Sequence, residues 1–261
     1  MKVESAHTLT SSRLNRNTDL SAAVKAQETA ITAQTIAYCQ AALDRSRFFR
    51  LLNAGQITPD VMQYVFLQYC HWRDQLHQWF GLCIIKAGSC SEPNQEAAIL
   101  SLADHIFTDL QDGHNAMYVE FLHQLGLSDH QIIASNRSAA TVSYERSFFD
   151  EFGYGVDNFY EALAALSGRE LCVSIRNGRI LQSYFDARQM PHPTWLSLHA
   201  KLEADHFQDA IRPVLAHSEE HSEEHTDQLS RVITAVETGI DRHVQYFEDL
   251  LQEYESQTIR I

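Results

Sequence analysis

Three residues late in the chain, His199, Glu203 and His206, stand at positions i, i+4 and i+7. On an α-helix that spacing keeps the side chains within an arc of roughly 60°. Two imidazoles and a carboxylate on one face then converge on one point. Such a set suits Fe, Mn or Zn, and two histidines plus a carboxylate is a familiar iron arrangement. Leu198 and Leu202 flank this face, while Lys201 and Asp205 can reach solvent. The ligand face therefore points inward, where burial without a metal or polar partners is costly. Composition alone yields such a match in about one chain in ten like this one, so the surrounding elements must support it.

Those elements read as helices. The chain has 261 residues, with only 10 glycines and 5 prolines, which favours long uninterrupted helices over turn-rich β structure. No convincing period-2 strand set appears, so the expected fold class is all-α, a bundle of about seven helices. Residues 1–19 are expected to be disordered, and 20–261 to form a single helical metal-binding domain. The first helix is expected over about 20–52, stopped by Gly55. The second is expected to run from Thr58-Pro59-Asp60 to about Lys86, with Thr58 as cap. Its stripe of Tyr64, Phe66, Tyr69, Trp72, Leu76 and Phe80 reads as core. Helical segments follow over about 97–112, 114–124 and 141–152. A helix over 159–185, bent near Gly168, comes next. The helix bearing the motif is capped by Thr194 and ended or kinked by Pro213. A final helix covers about 226–254.

The bulk properties exclude several classes. A net charge of −14 disfavours sequence-independent binding to nucleic acid or to anionic membranes. No apolar run approaches the length of a membrane span, and the polar start lacks the apolar core of a secretory signal. Five cysteines without a CxxC pair suggest thiols in a reducing cytoplasm. The expected location is cytoplasmic. No nucleotide-loop or serine-hydrolase signature appears. His217, His221 and His225 lie in a polar stretch that reads as a solvated acidic connector.

The late motif, followed by one long final helix in an all-α chain, resembles the heme-oxygenase-like di-iron oxidases and oxygenases. Their superfamily includes TenA-, PqqC- and CADD-like proteins. The resemblance covers about 51–251. It implies an earlier ligand histidine some eighty to ninety residues before the motif, which falls on His114. The stretch Ile106 to Gly113, then Tyr118 to Gly126, resembles the family's acidic-Gly-His segment running into a helix. It also implies a middle carboxylate, which falls on Glu170, with Glu161 as fallback.

The carboxylate paired with His114 departs from the family pattern. The usual places, seven and three residues earlier, hold Phe107 and Gln111. Asp109 takes the role, with Asp112 and Asp104 as alternatives. On an unbroken helix, five residues turn Asp109 and His114 apart by about 140°, so a break at Gly113 is needed. A different registry places His105, Asp109 and Asp112 on one face.

The resemblance implies two Fe(II) ions and an O2-activating oxidase or oxygenase. Its substrate would be a small amino-acid-like or fatty-acid-like molecule, in specialised metabolite biosynthesis. The expected partners are that substrate and O2, and the expected assembly extends at most to a homodimer. His77 and Arg242 are the expected substrate-binding residues, the latter by holding a carboxylate. Two alternatives stand: a TenA- or PqqC-like enzyme working without metal, or a non-catalytic helical metal-binding protein.

Overall fold

The computed structural model describes residues 22–87, 93–111, 113–149, 159–220 and 225–258. Among them there are eleven α-helices and no strand. Local chemistry sets most of the boundaries. Helix α1 (Ala22–Arg45) gives way at Ser46, whose side chain accepts from the Phe49 amide and so starts α2 (Arg47–Asn53). Glu248, from the far end of the chain, accepts from the Phe48 amide at 2.7 Å and locks that corner. Gly55 then turns left-handed, with φ +68°.

Thr58 caps α3 (Pro59–Arg73), as expected. The expected continuation to Lys86 is interrupted at Asp74 and Gln75, and α4 (Leu76–Lys86) starts afresh. Helix α5 (Pro93–Gln111) and α6 (His114–Gln124) are separated at Gly113, whose φ of +70° is left-handed. A Ser128–Gln131 capping box opens the short α7 (Asp129–Ala134), and Ser138 caps α8 (Ala139–Phe148).

Helix α9 (Phe159–Ile180) is buried along nearly its whole length. It ends in a π-helical turn over Leu181–Phe185 and a 3-10 turn over Asp186–Arg188. Helix α10 (Thr194–Glu220) and α11 (His225–Thr258) pack on it. Gly168 lets α11 approach α9, because a Cβ there would strike the Val236 carbonyl. Its counterpart Gly239 on α11 meets the Ala165 carbonyl in the same way. One sequence expectation changes here: Pro213 does not end α10. Ile211, Val214 and Leu215 are fully buried around it. Their packing outweighs a helix-interior proline penalty of about 3 kcal/mol.

The aromatic stripe is core, as expected: Phe66, Tyr69, Trp72 and Phe80 are all buried. It encloses two guanidinium groups from α9. Arg169 lies over Trp72, Tyr144 and Phe148 at 4.1–4.8 Å. Arg176 lies over Tyr69 at 4.6 Å and donates to His243 at 3.1 Å. Aromatic faces offset part of the cost of burying these charges.

The interlocked glycines make a clear test. Gly239→Ala forces a methyl group into the α9 backbone, an overpacking defect expected to cost about 2 kcal/mol. Urea unfolding should show a lower midpoint with an unchanged slope. A midpoint equal to wild type would show that α9 and α11 are not in backbone contact.

Candidate metal centre

Helices α5, α6, α9 and α10 bring six ligand-type side chains into two groups. One comprises His105, Glu170 and His206, the other Asp109, His114 and His199. Within each group the ligand atoms lie within 4.8 Å of one another. His114, Glu170 and His199 are buried, and the other three are half-buried.

The geometry alters the starting picture of one helical face around one point. His199 and His206 share a face of α10 but belong to different groups. Seven residues advance a helix by about 10 Å, so one face serves two neighbouring centres. Glu203 occupies the intervening turn of α10, and its side chain lies outside the described residues. Asp109 is brought to His114, with Asp109 Oδ1 and His114 Nδ1 2.6 Å apart. The break at Gly113 makes this meeting possible. Asp104 is exposed, and Asp112 lies outside the described residues.

His105 is the residue that sequence reasoning left out of its ligand set. Its signal was the i, i+4 relation with Asp109, which the structure keeps: His105 Nε2 is 3.9 Å from Asp109 Oδ2. The two Asp109 oxygens thus face different groups, Oδ1 toward His114 and Oδ2 toward His105. His105 also meets His206, with ring centroids 3.8 Å apart, and His206 Nδ1 lies 3.8 Å from Glu170 Oε2. Glu170 thus joins His105 and His206 in one group, whereas the fallback Glu161 pairs with Arg231 at 3.2 Å.

Hydrogen bonds and burial set the protonation states. His199 Nδ1 donates to the Trp195 carbonyl at 2.8 Å, which leaves Nε2 as the lone-pair nitrogen. Burial pushes the His199 imidazolium down to about 3, so the ring is neutral at neutral pH. Burial lowers His105 as well, against the opposing pull of Glu170. Asp109 is raised by burial, but the hydrogen-bonding and charge effects of His114, His105 and His199 outweigh this and hold it below the usual carboxylate value.

His114 is the most telling member. It is 1% exposed; its Nδ1 faces Asp109 Oδ1 at 2.6 Å, while its Nε2 has no hydrogen-bond partner among the described residues. The donor sets are imidazole nitrogen and carboxylate oxygen, which fits iron.

The two expected substrate residues part company. His77 is exposed and lines a cleft beside Asp109. Arg242 is exposed on α11 and is not among the residues lining that cleft.

Fold and site together define a heme-oxygenase-like helical protein with two candidate metal-binding triads. The family described as "Iron-containing redox enzyme" matches residues 63–239, and the chain belongs to it. None of the curated proteins matches. Solved structures share the fold. A domain with a heme oxygenase-like fold from Shewanella denitrificans has a TM-score of 0.64 at 14% identity, covering 87% of this chain and 93% of that one. A TenA homolog from Pseudomonas syringae pv. tomato has a TM-score of 0.62 at 13% identity, covering 88% and 93%. A putative TenA-like thiaminase from Sulfolobus solfataricus has a TM-score of 0.53 at 14% identity, covering 85% and 94%.

The buried neutral histidines predict an acid-labile metal-free protein. Their folded values lie below the unfolded one of 6.5, so below that pH the unfolded chain binds more protons. Stability is full above pH 6.5 and is lost as pH falls toward the folded values. His199 alone is expected to remove about 1.4 kcal/mol near pH 5.5. His105 and His243 act in the same direction. Urea unfolding of chelator-treated protein between about pH 7.5 and 5 measures this. A flat profile would mean that these rings are not buried and neutral.

Proposed function

We propose that the two triads hold two Fe(II) ions and that the protein is an O2-activating oxidase or oxygenase. Its substrate would be a small amino-acid-like or fatty-acid-like molecule, in a specialised biosynthetic pathway. The observation that carries this reading is the convergence of two His/carboxylate sets, joined by a carboxylate that turns one oxygen toward each. Family membership supports it. Bound iron supplies the redox chemistry that amino-acid side chains lack.

The chain's own residues would position and insulate. His114, His199 and Asp109 would hold one ion, and His105, His206 and Glu170 the other, with one Asp109 oxygen facing each group. Glu203 is retained as a further ligand between them on sequence spacing alone. The Trp195 carbonyl fixes the His199 tautomer, and the Trp195 ring packs on that imidazole at 4.5 Å. Phe80 covers His105 at 4.6 Å. These rings keep water from the ligand atoms and sharpen their electrostatics.

A second reading is a TenA-like enzyme using the same pocket without iron. The solved structures weigh toward it, since TenA homologue and putative TenA-like thiaminase are the names they carry. At these identities the likeness carries the fold alone.

Anaerobic titration with Fe(II), followed by O2, separates the two. Wild type should bind about two irons per chain, and O2 should give a transient visible absorption. His105→Ala and His114→Ala should each reduce the stoichiometry to about one. Absence of iron binding, with activity surviving His199→Ala, would establish the metal-free reading instead.

A further inference from the structure

A box of side chains from α3, α8, α9 and α11 encloses two cations that the triads do not use. Arg169 is 2% exposed and Arg176 is fully buried. Trp72, Tyr144 and Phe148 lie against the Arg169 guanidinium, and Tyr69 and Phe247 against that of Arg176. His243 stands between the two. Its Nε2 meets Arg176 Nη1 at 3.1 Å, and its Nδ1 meets the Tyr144 hydroxyl at 3.0 Å. The Tyr144 oxygen also accepts from Arg169 Nη2. A guanidinium can only donate, so His243 Nε2 accepts and its Nδ1–H points at Tyr144. No member of this chain of contacts is an anion.

The charges in the box are therefore unmatched. Among the described residues, no carboxylate forms an ion pair with either guanidinium. Glu170 follows Arg169 in the chain but lies 3.8 Å from His206, in its triad. Arginines nearer to water are matched: Arg47 by Glu255 at 2.7 Å, Arg137 by Glu145 at 3.0 Å and Arg212 by Glu28 at 2.9 Å. This reverses the ordinary pattern, in which buried charges are the ones that are paired. Aromatic faces offset part of the cost and leave the charge in place.

The hydrogen bonds point the same way. Arg169 Nε and Nη1, Arg176 Nη2, Asn177 Nδ2 and Trp72 Nε1 are all buried without a hydrogen-bond partner among the described residues. Every one of these atoms is a donor. What the box lacks is an acceptor, and beside two cations it lacks a negative charge. Such unmatched buried groups call for a bound water or ion. A water would supply the acceptor but not the charge. The ring centroids lie 4.1–5.0 Å from the guanidinium carbons, which favours an occupant of one atom over a polyatomic one. Aromatic walls favour a weakly hydrated ion.

We propose that this box is a binding site for a monovalent, chloride-sized anion, held at the free edge of the Arg169 guanidinium, with Arg176 supplying the second positive charge. None of its donors is a member of the triads, so the site stands apart from the metal reading.

Thermal unfolding of the full chain tests this, in sodium chloride and in sodium gluconate at equal ionic strength. Each series is run on chelator-treated protein and again with Fe(II) added as its gluconate. Between about 1 and 100 mM chloride, the wild-type midpoint should rise by about 5 °C relative to gluconate, equally with and without iron. Arg169→Met removes the charge and keeps much of the volume. It should abolish the chloride gain, and its midpoint in gluconate should equal or exceed that of wild type. Wild-type crystals soaked in bromide should show an anomalous peak within about 3.5 Å of the Arg169 nitrogens, which decides the matter where the methionine variant fails to fold. Equal midpoints in chloride and gluconate, a chloride gain that persists in Arg169→Met, or no bromide peak inside the box would each overturn the proposal. A gain that appears only with iron would place the anion on the metal and overturn it as well.

Discussion

Removing an imidazole or a carboxylate from water costs a few kcal/mol unless the fold supplies partners, and this protein buries three such groups in one place. The triads sit where four helices meet, with His114, Glu170 and His199 almost wholly removed from water. Such a cluster persists only if the surrounding scaffold is stable enough to hold it. The scaffold's unusual features can be understood as answers to that demand. Gly168 and Gly239 let α9 and α11 touch at the backbone, which maximises contact where α9 must carry Glu170 inward. The layer of Phe66, Tyr69, Trp72, Phe121 and Trp195 supplies large apolar area close to the polar groups.

The same logic explains the local break between α5 and α6. A straight helix through residues 105–118 would direct Asp109 and His114 to different sides. The left-handed residue at Gly113 reorients the chain so that one helix end brings Asp109 and the next helix start brings His114. Glycine adopts this backbone without strain, whereas a residue with a Cβ is strained there by about 1 kcal/mol or more. One backbone conformation thus couples two ligand-type residues that sequence spacing alone would separate. Asp109 then stands at the junction, within reach of both groups.

Much of this was legible in the sequence because it follows helical periodicity. The all-α class, the Thr58 cap, the aromatic core stripe and the inward face of α10 all rest on local rules. His114 and Glu170 required a family resemblance, since nothing local marks them. What the sequence hid depends on tertiary geometry. That His199 and His206 serve different centres depends on which helices oppose each turn of α10. The continuity of α10 through Pro213 depends on buried neighbours that no local rule reveals. The break of the second helix at Asp74 and Gln75 was equally hidden, although it is what sets Arg73 at the edge of a cleft. His105 was visible as a face with Asp109 but was passed over, because its partners Glu170 and His206 come from helices far along the chain.

His114 also bears on how the site is used. Its Nδ1 faces Asp109 at 2.6 Å, and its buried Nε2 has no hydrogen-bond partner among the described residues. A metal-free enzyme would need its organic substrate to satisfy that nitrogen. The cleft, however, exposes Asp109 and not His114 or His199. A substrate entering there meets the carboxylate first. An ion, if bound, would be held by His114, by the His199 Nε2 and by Asp109. Asp109 therefore stands between the buried imidazoles of its triad and the one described cleft that borders it.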